Sequence, residues 1–267
     1  GIVRVGAEVE AGDILVGKGT KLHSLALIGA AAADQAMVAV TSQPRVAIIS
    51  TGDEIVAPGE ARTSATAIAD SVSFGVAAMI GQWGGRLLAK RRGGDDLTEL
   101  EQLAAEIAPT VDLLIVTGGA SVGEKDYAKA MFAPMGLELI FEKVAIKPGK
   151  PVWFGRAGQC WVLGLPGNPT SAMVTARLFM VPILAMLQGQ VFDTAMAWRQ
   201  LPLLDPLRAT GDRETLVRAA WTEQGLAVVN SQDSGAQKLL ATADMLIRCP
   251  AGQRALRAGD WVSALAF

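Results

Sequence analysis

Val46-Ala47-Ile48-Ile49 is an uninterrupted apolar run, closed at once by Ser50-Thr51-Gly52-Asp53-Glu54. A short run of this kind, ended by a polar loop that contains glycine, suits a strand buried on both faces of a parallel sheet. The pattern recurs twice. Leu113-Leu114-Ile115-Val116 leads into Thr117-Gly118-Gly119-Ala120-Ser121-Val122-Gly123-Glu124-Lys125-Asp126, and Trp161-Val162-Leu163 leads into Leu165-Pro166-Gly167-Asn168-Pro169-Thr170-Ser171.

Helical segments lie between these strands. One follows Asp70, with Phe74, Ala77, Ala78 and the Met79-Ile80 pair assigned to its apolar side. A second starts near Asp96, where Asp96 and Glu99 have capping-box spacing, and it must end before Pro109. A long apolar helix is expected over about 169–188, kinked by Pro182. Repeated strand–helix units of this kind predict an α/β domain, a parallel sheet with helices on both faces.

Working outward, residues 1–44 have β-like pieces with glycine turns, an alanine-rich helix over about 22–33, and a strand-like Met37-Val38-Ala39-Val40, before Pro44 punctuates the chain. After Asp193 the helical texture gives way to short alternating segments such as Thr215-Leu216-Val217-Arg218 and Leu226-Ala227-Val228-Val229. These predict a small all-β domain, a barrel or sandwich. The expected organisation is an N-terminal region at 1–44, the α/β domain at 45–192 and a C-terminal β domain at 193–267.

Composition narrows the function classes. The chain has 267 residues, 51% of them hydrophobic, enough for a sizeable core. A net charge of -2 with interspersed signs argues against nucleic-acid binding. The densest basic cluster, Lys90-Arg91-Arg92, reads as a solvated loop. Cys160 and Cys249, the two cysteines, sit in apolar runs without metal-ligand spacing and read as buried small hydrophobes in a reducing cytoplasm. The single histidine, His23, has no acidic partner nearby, which discounts a nucleophilic triad. No uninterrupted apolar stretch reaches membrane-span length, and no signal peptide opens the chain. The opening Gly1-Ile2-Val3-Arg4, without an initiator Met, reads as that of a fragment or a processed chain.

In open α/β sheets ligands sit at the carboxyl ends of the strands. Three polar loops are expected there, forming one crevice. In the second loop, glycines allow close backbone approach and amides can face an anion; a plain strand-to-helix turn is the simpler alternative. In the third, Asn168 can cap a helix whose first turn holds Pro169, and that N-terminus attracts phosphate; capping alone also accounts for both residues. Asp53 and Glu54, with Asp126 across the crevice, suit Mg²⁺, although an acidic surface turn competes for the pair. Lys147 and Lys150 flank the Pro148-Gly149 turn and can hold an anionic group, where the alternative is two solvated lysines.

These loops, in this order, resemble the MoeA family of molybdopterin molybdenumtransferases, which includes the E domain of gephyrin. The resemblance rests on Ser50–Glu54, on Thr117–Gly123 with Asp126, on Lys147-Pro148-Gly149-Lys150-Pro151, and on Leu165–Pro169 with Ser171-Ala172. It extends into the C-terminal region through Arg218, Ser234-Gly235, Ala243-Asp244 and Ala258-Gly259-Asp260, and into residues 1–44 through Arg4, Gly6 and Gly12-Asp13.

The resemblance implies a MogA-like molybdopterin-binding domain, a C-terminal β barrel, and an N-terminal remnant of a longer family region. It also implies a cytoplasmic homodimer that takes adenylated molybdopterin, molybdate and Mg²⁺, releases AMP and inserts molybdenum, with a pterin adenylyltransferase as a candidate partner. By the same resemblance, Glu54 and Asp126 hold Mg²⁺ or orient water with support from Asp53, and Lys147 and Lys150 hold molybdate or phosphate. Asp70, Ser71, Gly118, Gly119, Ser121, Gly123, Pro166, Gly167, Asn168, Pro169 and Ser171 cradle the pterin nucleotide. One departure is Asp70-Ser71-Val72, where the family commonly has Asp-Ser-Asn, because valine cannot replace the amide's hydrogen bonds. Molybdopterin adenylyltransferase activity and a non-catalytic pterin-binding scaffold are the alternatives.

Overall fold

The computed structural model describes residues 4, 6–118, 127–233 and 237–267. Loops 6–23 lead into helix α1, Ser24–Ala32, whose first turn is capped by His23 through its Nδ1, accepting from Ala26 N–H at 3.4 Å. The strand expected at Met37–Val40 does not form. The segment is extended coil with Met37 88% exposed, and no described strand offers it a ladder partner.

Strand β1, Arg45–Thr51, opens the α/β unit and is buried from Val46 onward. The tiny parallel pair β2, Ile55–Val56, and β3, Ile68–Ala69, follows, then helix α2, Val72–Gln82. The buried face of α2 is Val72, Val76, Met79 and Ile80, spaced i, i+4, i+7, i+8. Phe74 falls off that stripe, is 51% exposed, and carries the Lys90 ammonium 3.1 Å above its ring.

Lys90-Arg91-Arg92 belongs to strand β4, Arg86–Gly93, and not to a loop; β4 is the outer strand, where charge discourages pairing with another chain. Helix α3, Leu97–Ile107, is capped as its spacing predicts, Asp96 Oδ1 accepting from Glu99 N–H at 2.9 Å, and one 3₁₀ turn then carries the chain through Pro109. Strand β5, Leu113–Thr117, is wholly buried.

After residue 126 come α4, Tyr127–Ala130, and β6, Glu138–Phe141, then β7, Ile146–Lys147, β8, Trp153–Ala157, and β9, Cys160–Leu165. The sheet order is β4-β1-β5-β9-β8-β6, with β4, β1, β5 and β9 parallel, as the apolar runs predict. β8 and β6 add an antiparallel flank. Its cause is local: Gly158, at φ 59°, leads the two-residue turn that folds Ala157 back onto Cys160.

Both faces are covered. α2 and the long 169–187 helix pack on one face against Ile48, Ile115 and Leu163; α3 and α4 pack on the other against Ile49, Leu114 and Val162. Each fully buried Ile or Leu contributes on the order of 2 kcal/mol.

The long helix runs as α5, Pro169–Thr175, a π segment, Ala176–Met180, and α6, Val181–Leu187. Pro182, which has no N–H to donate, lies just beyond the π segment, so the break it was expected to cause takes that form. By length and composition this 19-residue helix, with an 18-residue window of mean hydropathy 1.7, could cross a membrane, although Thr170, Ser171, Thr175 and Arg177 interrupt its apolar run; 67% of that window is buried, as in a core helix.

A short α7, Phe192–Ala195, leads to the C-terminal unit: β10, Arg199–Pro202; β11, Glu214–Thr222; β12, Gly225–Val228; α8, Gln237–Leu240; β13, Met245–Cys249; and β14, Trp261–Ala266. These strands pair antiparallel in the order β10-β14-β13-β11-β12, and the Leu203–Leu226 bridge joins the two ends into a barrel around Val217, Leu226, Ile247 and Val262. β7, from the α/β segment, pairs in parallel with β11, so the lysine-bearing loop is stitched to the barrel.

Candidate active site

The carboxyl ends of β1, β5 and β9 converge on a cleft of about 420 Å³. Ser50, Thr51 and Glu54 line it from the first strand end, Thr117 and Gly118 from the second, and Gly167, Asn168 and Pro169 from the third. Ile55, Ile68, Asp70, Ser71 and Val72 close one side, and Gln237 of α8 reaches it from the barrel. Ile68 N–H donates to Glu54 O at 2.7 Å and Asp70 N–H to Val56 O at 2.9 Å, so the β2–β3 pair fixes that wall.

The floor is a buried chain of hydroxyls ending on a carboxylate. Thr117 Oγ1 donates to Ser50 Oγ at 3.2 Å, and Ser50 Oγ donates to Asp70 Oδ2 at 2.9 Å. Asp70 also accepts from Ser73 Oγ at 2.7 Å and, through Oδ1, from Ser73 N–H at 3.1 Å. The last bond caps α2, so Asp70 is held by the fold on the side facing the sheet.

Backbone approach is tight at the strand ends. Gly118 has φ 94°, and a Cβ there would stand 2.5 Å from Thr51 O. A Cβ on Gly167 would lie 3.4 Å from Gly118 Cα, so the second and third loops touch. Asn168 occupies the N-cap position of α5, as its sequence suggests, but makes no side-chain cap bond; its buried Oδ1 has no hydrogen-bond partner among the described residues. A buried acceptor without a donor at the mouth of a ligand cleft is a group that a bound molecule can satisfy.

Glu54 is exposed, and its carboxylate folds over Gly52, where a Cβ would come within 2.8 Å of Oε2. Among the described residues no group of three His, Cys, Asp or Glu gathers into a metal-binding cluster. Glu54 is the exposed carboxylate on the described cleft wall, an oxygen donor of the kind that Mg²⁺ takes.

The other expected residues fall elsewhere. Asp53 turns away, its Oδ1 accepting from Asp95 N–H at 2.8 Å. Pro166 and Ser171 are buried beside the cleft and do not line it; Ser171 O accepts from Thr175 Oγ1 at 2.7 Å. Lys147 lines a separate hollow of about 670 Å³ at the barrel mouth, with Arg208, Thr215, Asn230 and Gln232. Lys150 is exposed and outside the cleft lining, and its carbonyl accepts from Val144 N–H at 3.0 Å. Gly119, Ser121, Gly123 and Asp126 lie outside the described residues, as does Ser234-Gly235.

Among the cleft-lining residues not named from the sequence as ligand contacts are Thr117 and Gln237. Hydroxyls at the ends of apolar strands were a usable signal for the first. Nothing local marked Gln237, which reaches the cleft only because the barrel folds back onto α5. Arg218 is fully buried on β11 and donates to Thr170 Oγ1 at 3.2 Å and to the carbonyls of Ser231 and Asp233 at 3.0 and 3.1 Å. Burial lowers its pKa, with the Asp233 charge opposing the shift.

Comparison with known proteins agrees with this architecture. Residues 47–186 match the probable molybdopterin binding domain, and residues 200–267 match the MoeA C-terminal region, domain IV. The molybdopterin molybdenumtransferase of Haemophilus influenzae is 33% identical over 231 residues, covering 86% of this chain and 55% of the relative. That of Synechococcus elongatus is 33% identical over 262 residues, covering 97% of this chain and 64% of the relative. The chain thus spans between about half and two thirds of the length of these curated relatives. Among solved structures, a molybdopterin biosynthesis moeA protein from Pyrococcus horikoshii OT3 shares the fold with a TM-score of 0.82 at 22% identity, covering 98% of this chain and 64% of that one. With more than half its length matching the molybdopterin-binding domain and the remainder carrying the family's domain IV, the chain belongs to the MoeA family.

Proposed function

We propose that this chain carries the substrate cleft of a molybdopterin molybdenumtransferase, which takes adenylated molybdopterin and molybdate, releases AMP and leaves molybdenum on the pterin dithiolene. The observation that carries the reading is the convergence of three strand-end loops on one cleft with Glu54 on its wall and the unpartnered Asn168 Oδ1 at the start of α5. The α5 N-terminus and the Gly118 and Gly167 backbone suit the phosphoanhydride, whose charge the helix dipole favours. Glu54 would hold Mg²⁺ against the phosphate oxygens. Bound there, the cation would draw charge from the phosphoanhydride as AMP departs.

Within the same reading, Asp126 is the second carboxylate, while Lys147 and Lys150, which lie outside the cleft lining, are given no contact with the ligand. Gly119, Ser121 and Gly123 continue the cradle begun by Gly118. In this reading the working unit is a cytoplasmic homodimer that receives its pterin nucleotide from an adenylyltransferase, as the MoeA relationship suggests.

Glu54→Gln tests the assignment. It should bind the pterin nucleotide with little change while Mg²⁺-dependent AMP release falls by about a hundredfold. Unchanged release would remove Glu54 from the metal. Transfer of AMP from ATP onto unadenylated pterin would make the protein an adenylyltransferase instead.

A further inference from the structure

The hydroxyl chain on the cleft floor has a fixed direction. A side-chain hydroxyl has one hydrogen to give, and an ionised carboxylate only accepts. Asp70 Oδ2 takes the hydrogens of Ser73 Oγ at 2.7 Å and of Ser50 Oγ at 2.9 Å. Ser50, its hydrogen spent, must accept in its 3.2 Å bond with Thr117, so Thr117 donates inward. Thr51 donates inward as well, its Oγ1 to Thr117 O at 3.4 Å. Ser50, Thr51 and Thr117 therefore line the cleft without a hydroxyl hydrogen to offer it, and Thr117 Oγ1 can meet a bound group only as an acceptor. All of these residues are buried, so the chain is shielded from bulk water.

A floor of this kind repels an oxyanion and takes a donor. Thr117 directly precedes Gly118, whose Cα lies against the Gly167 loop at the start of α5, so a donor held by Thr117 Oγ1 sits beside the phosphate cradle. We propose that this donor is the water that attacks the phosphoanhydride, and that Thr117, Ser50 and Asp70 relay its proton away. The proposal rests on the transferase reading of the cleft and deepens it. The water oxygen bonds to phosphorus as the bridging P–O bond breaks, and the electron pair of that bond leaves on the departing phosphate group. One water proton passes to Thr117 Oγ1 as the Thr117 proton moves to Ser50 Oγ and the Ser50 proton to Asp70 Oδ2; the other stays on the new phosphate oxygen. Asp70 alone ends with an added proton, which it returns to solvent through the cleft that it lines. Among the described lining residues Glu54 and Asp70 are the two carboxylates, and with Glu54 assigned to the cation Asp70 is the acceptor that remains. Thr117 touches the water; Ser50 and Asp70 are positioning residues that act through it.

Single-turnover release of AMP from adenylated molybdopterin, with Mg²⁺ and molybdate present, tests the relay on the intact chain. Thr117→Val, which removes the hydroxyl and keeps the shape, should slow release by about a hundredfold without weakening substrate binding. Thr117→Ser should recover most of that loss, which a packing role for the methyl group would not allow. In mixtures of light and heavy water the parent's rate should fall along a bowed curve, the mark of several protons moving together. Ser50→Ala, which cuts the chain, should straighten the curve at a lower rate. The parent's curve needs no variant, so it decides the question even where a substitution fails to fold. A straight line for the parent, or release by Thr117→Val within about threefold of the parent's, would overturn the relay and leave the transferase reading standing. No release by the parent from substrate shown to be bound would overturn that reading, and the relay with it.

Discussion

Arg218 of the barrel and Thr170 of α5 are in direct contact, the guanidinium donating to the hydroxyl at 3.2 Å with no exposed surface on either residue. The first turn of the helix that faces the cleft is therefore braced from the C-terminal unit. Arg177 makes the reciprocal tie, its guanidinium donating to Ala266 O on β14 and, at 2.9 Å, to Ala195 O. Arg218→Met should cost about 3 kcal/mol, because it leaves the Ser231 and Asp233 carbonyls without their donor. Arg218→Lys, which keeps the charge but loses the fork, should fall between. Denaturant unfolding followed by tryptophan fluorescence measures both; a loss below about 0.5 kcal/mol for the methionine variant would deny the brace.

Asp112 at the start of β5 clamps the start of β1. Its carboxylate accepts from Arg45 N–H at 2.7 Å and from the guanidinium at 2.8 and 3.2 Å, and the hydrogen bonds from Arg45 hold its pKa below the usual carboxylate value. A depressed folded-state pKa gives stability that is fully present above the unfolded-state value and lost as pH falls through the folded one. The melting temperature of Asp112→Asn should therefore lie below that of the parent above about pH 5 and converge with it below about pH 3. The pair is half exposed, so the gap should be a few degrees. A gap that does not narrow in acid would show that the ion pair is not its source.

Gly118→Ala should be destabilising at a position with no packing role. The left-handed φ of 94° and the 2.5 Å approach to Thr51 O leave a methyl group no room, at a cost of about 2 kcal/mol. Ligand affinity should fall with it, because relief requires β1 and β5 to part at the cleft. Thermal melts and calorimetric titration with AMP check the two effects separately.

Both thiols should be inert in the native protein. Burial pushes Cys160 up to about 12 and raises Cys249 as well, so almost no thiolate exists at neutral pH. A chromogenic disulfide reagent should titrate neither until denaturant is added, and then both. Rapid reaction of either without denaturant would contradict their placement in the cores.

The parallel centre of the sheet was legible because Val46–Ile49, Leu113–Val116 and Trp161–Leu163 are buried on both faces and so are apolar throughout. The Asp96 cap was legible because its bond is local. The antiparallel flank was not, because Trp153–Ala157 mixes Gly155 and Arg156 into an otherwise apolar run and only the Gly158 turn reveals its direction. Edge position hid β4: Lys90, Arg91 and Arg92 meet solvent there and resemble a loop in composition. Met37–Val40 has the composition of a strand, but a strand also needs a partner. At the cleft, the three loops at the strand ends were visible from the sequence, but the hydroxyls of Ser50, Thr51 and Thr117 were not singled out as lining groups. Asp53 and Lys147 were not separable from their neighbours, because their side chains are directed by tertiary bonds to Asp95 N–H and by β7 pairing with β11.

We propose that the three-loop cleft performs molybdate-dependent release of AMP. The direct measurement is AMP appearance from adenylated molybdopterin with this chain, omitting Mg²⁺ and molybdate in turn. Release that requires both ions, and that falls in Glu54→Gln, is the predicted result. Release that proceeds equally without molybdate, or no release from substrate shown to be bound, would contradict the account.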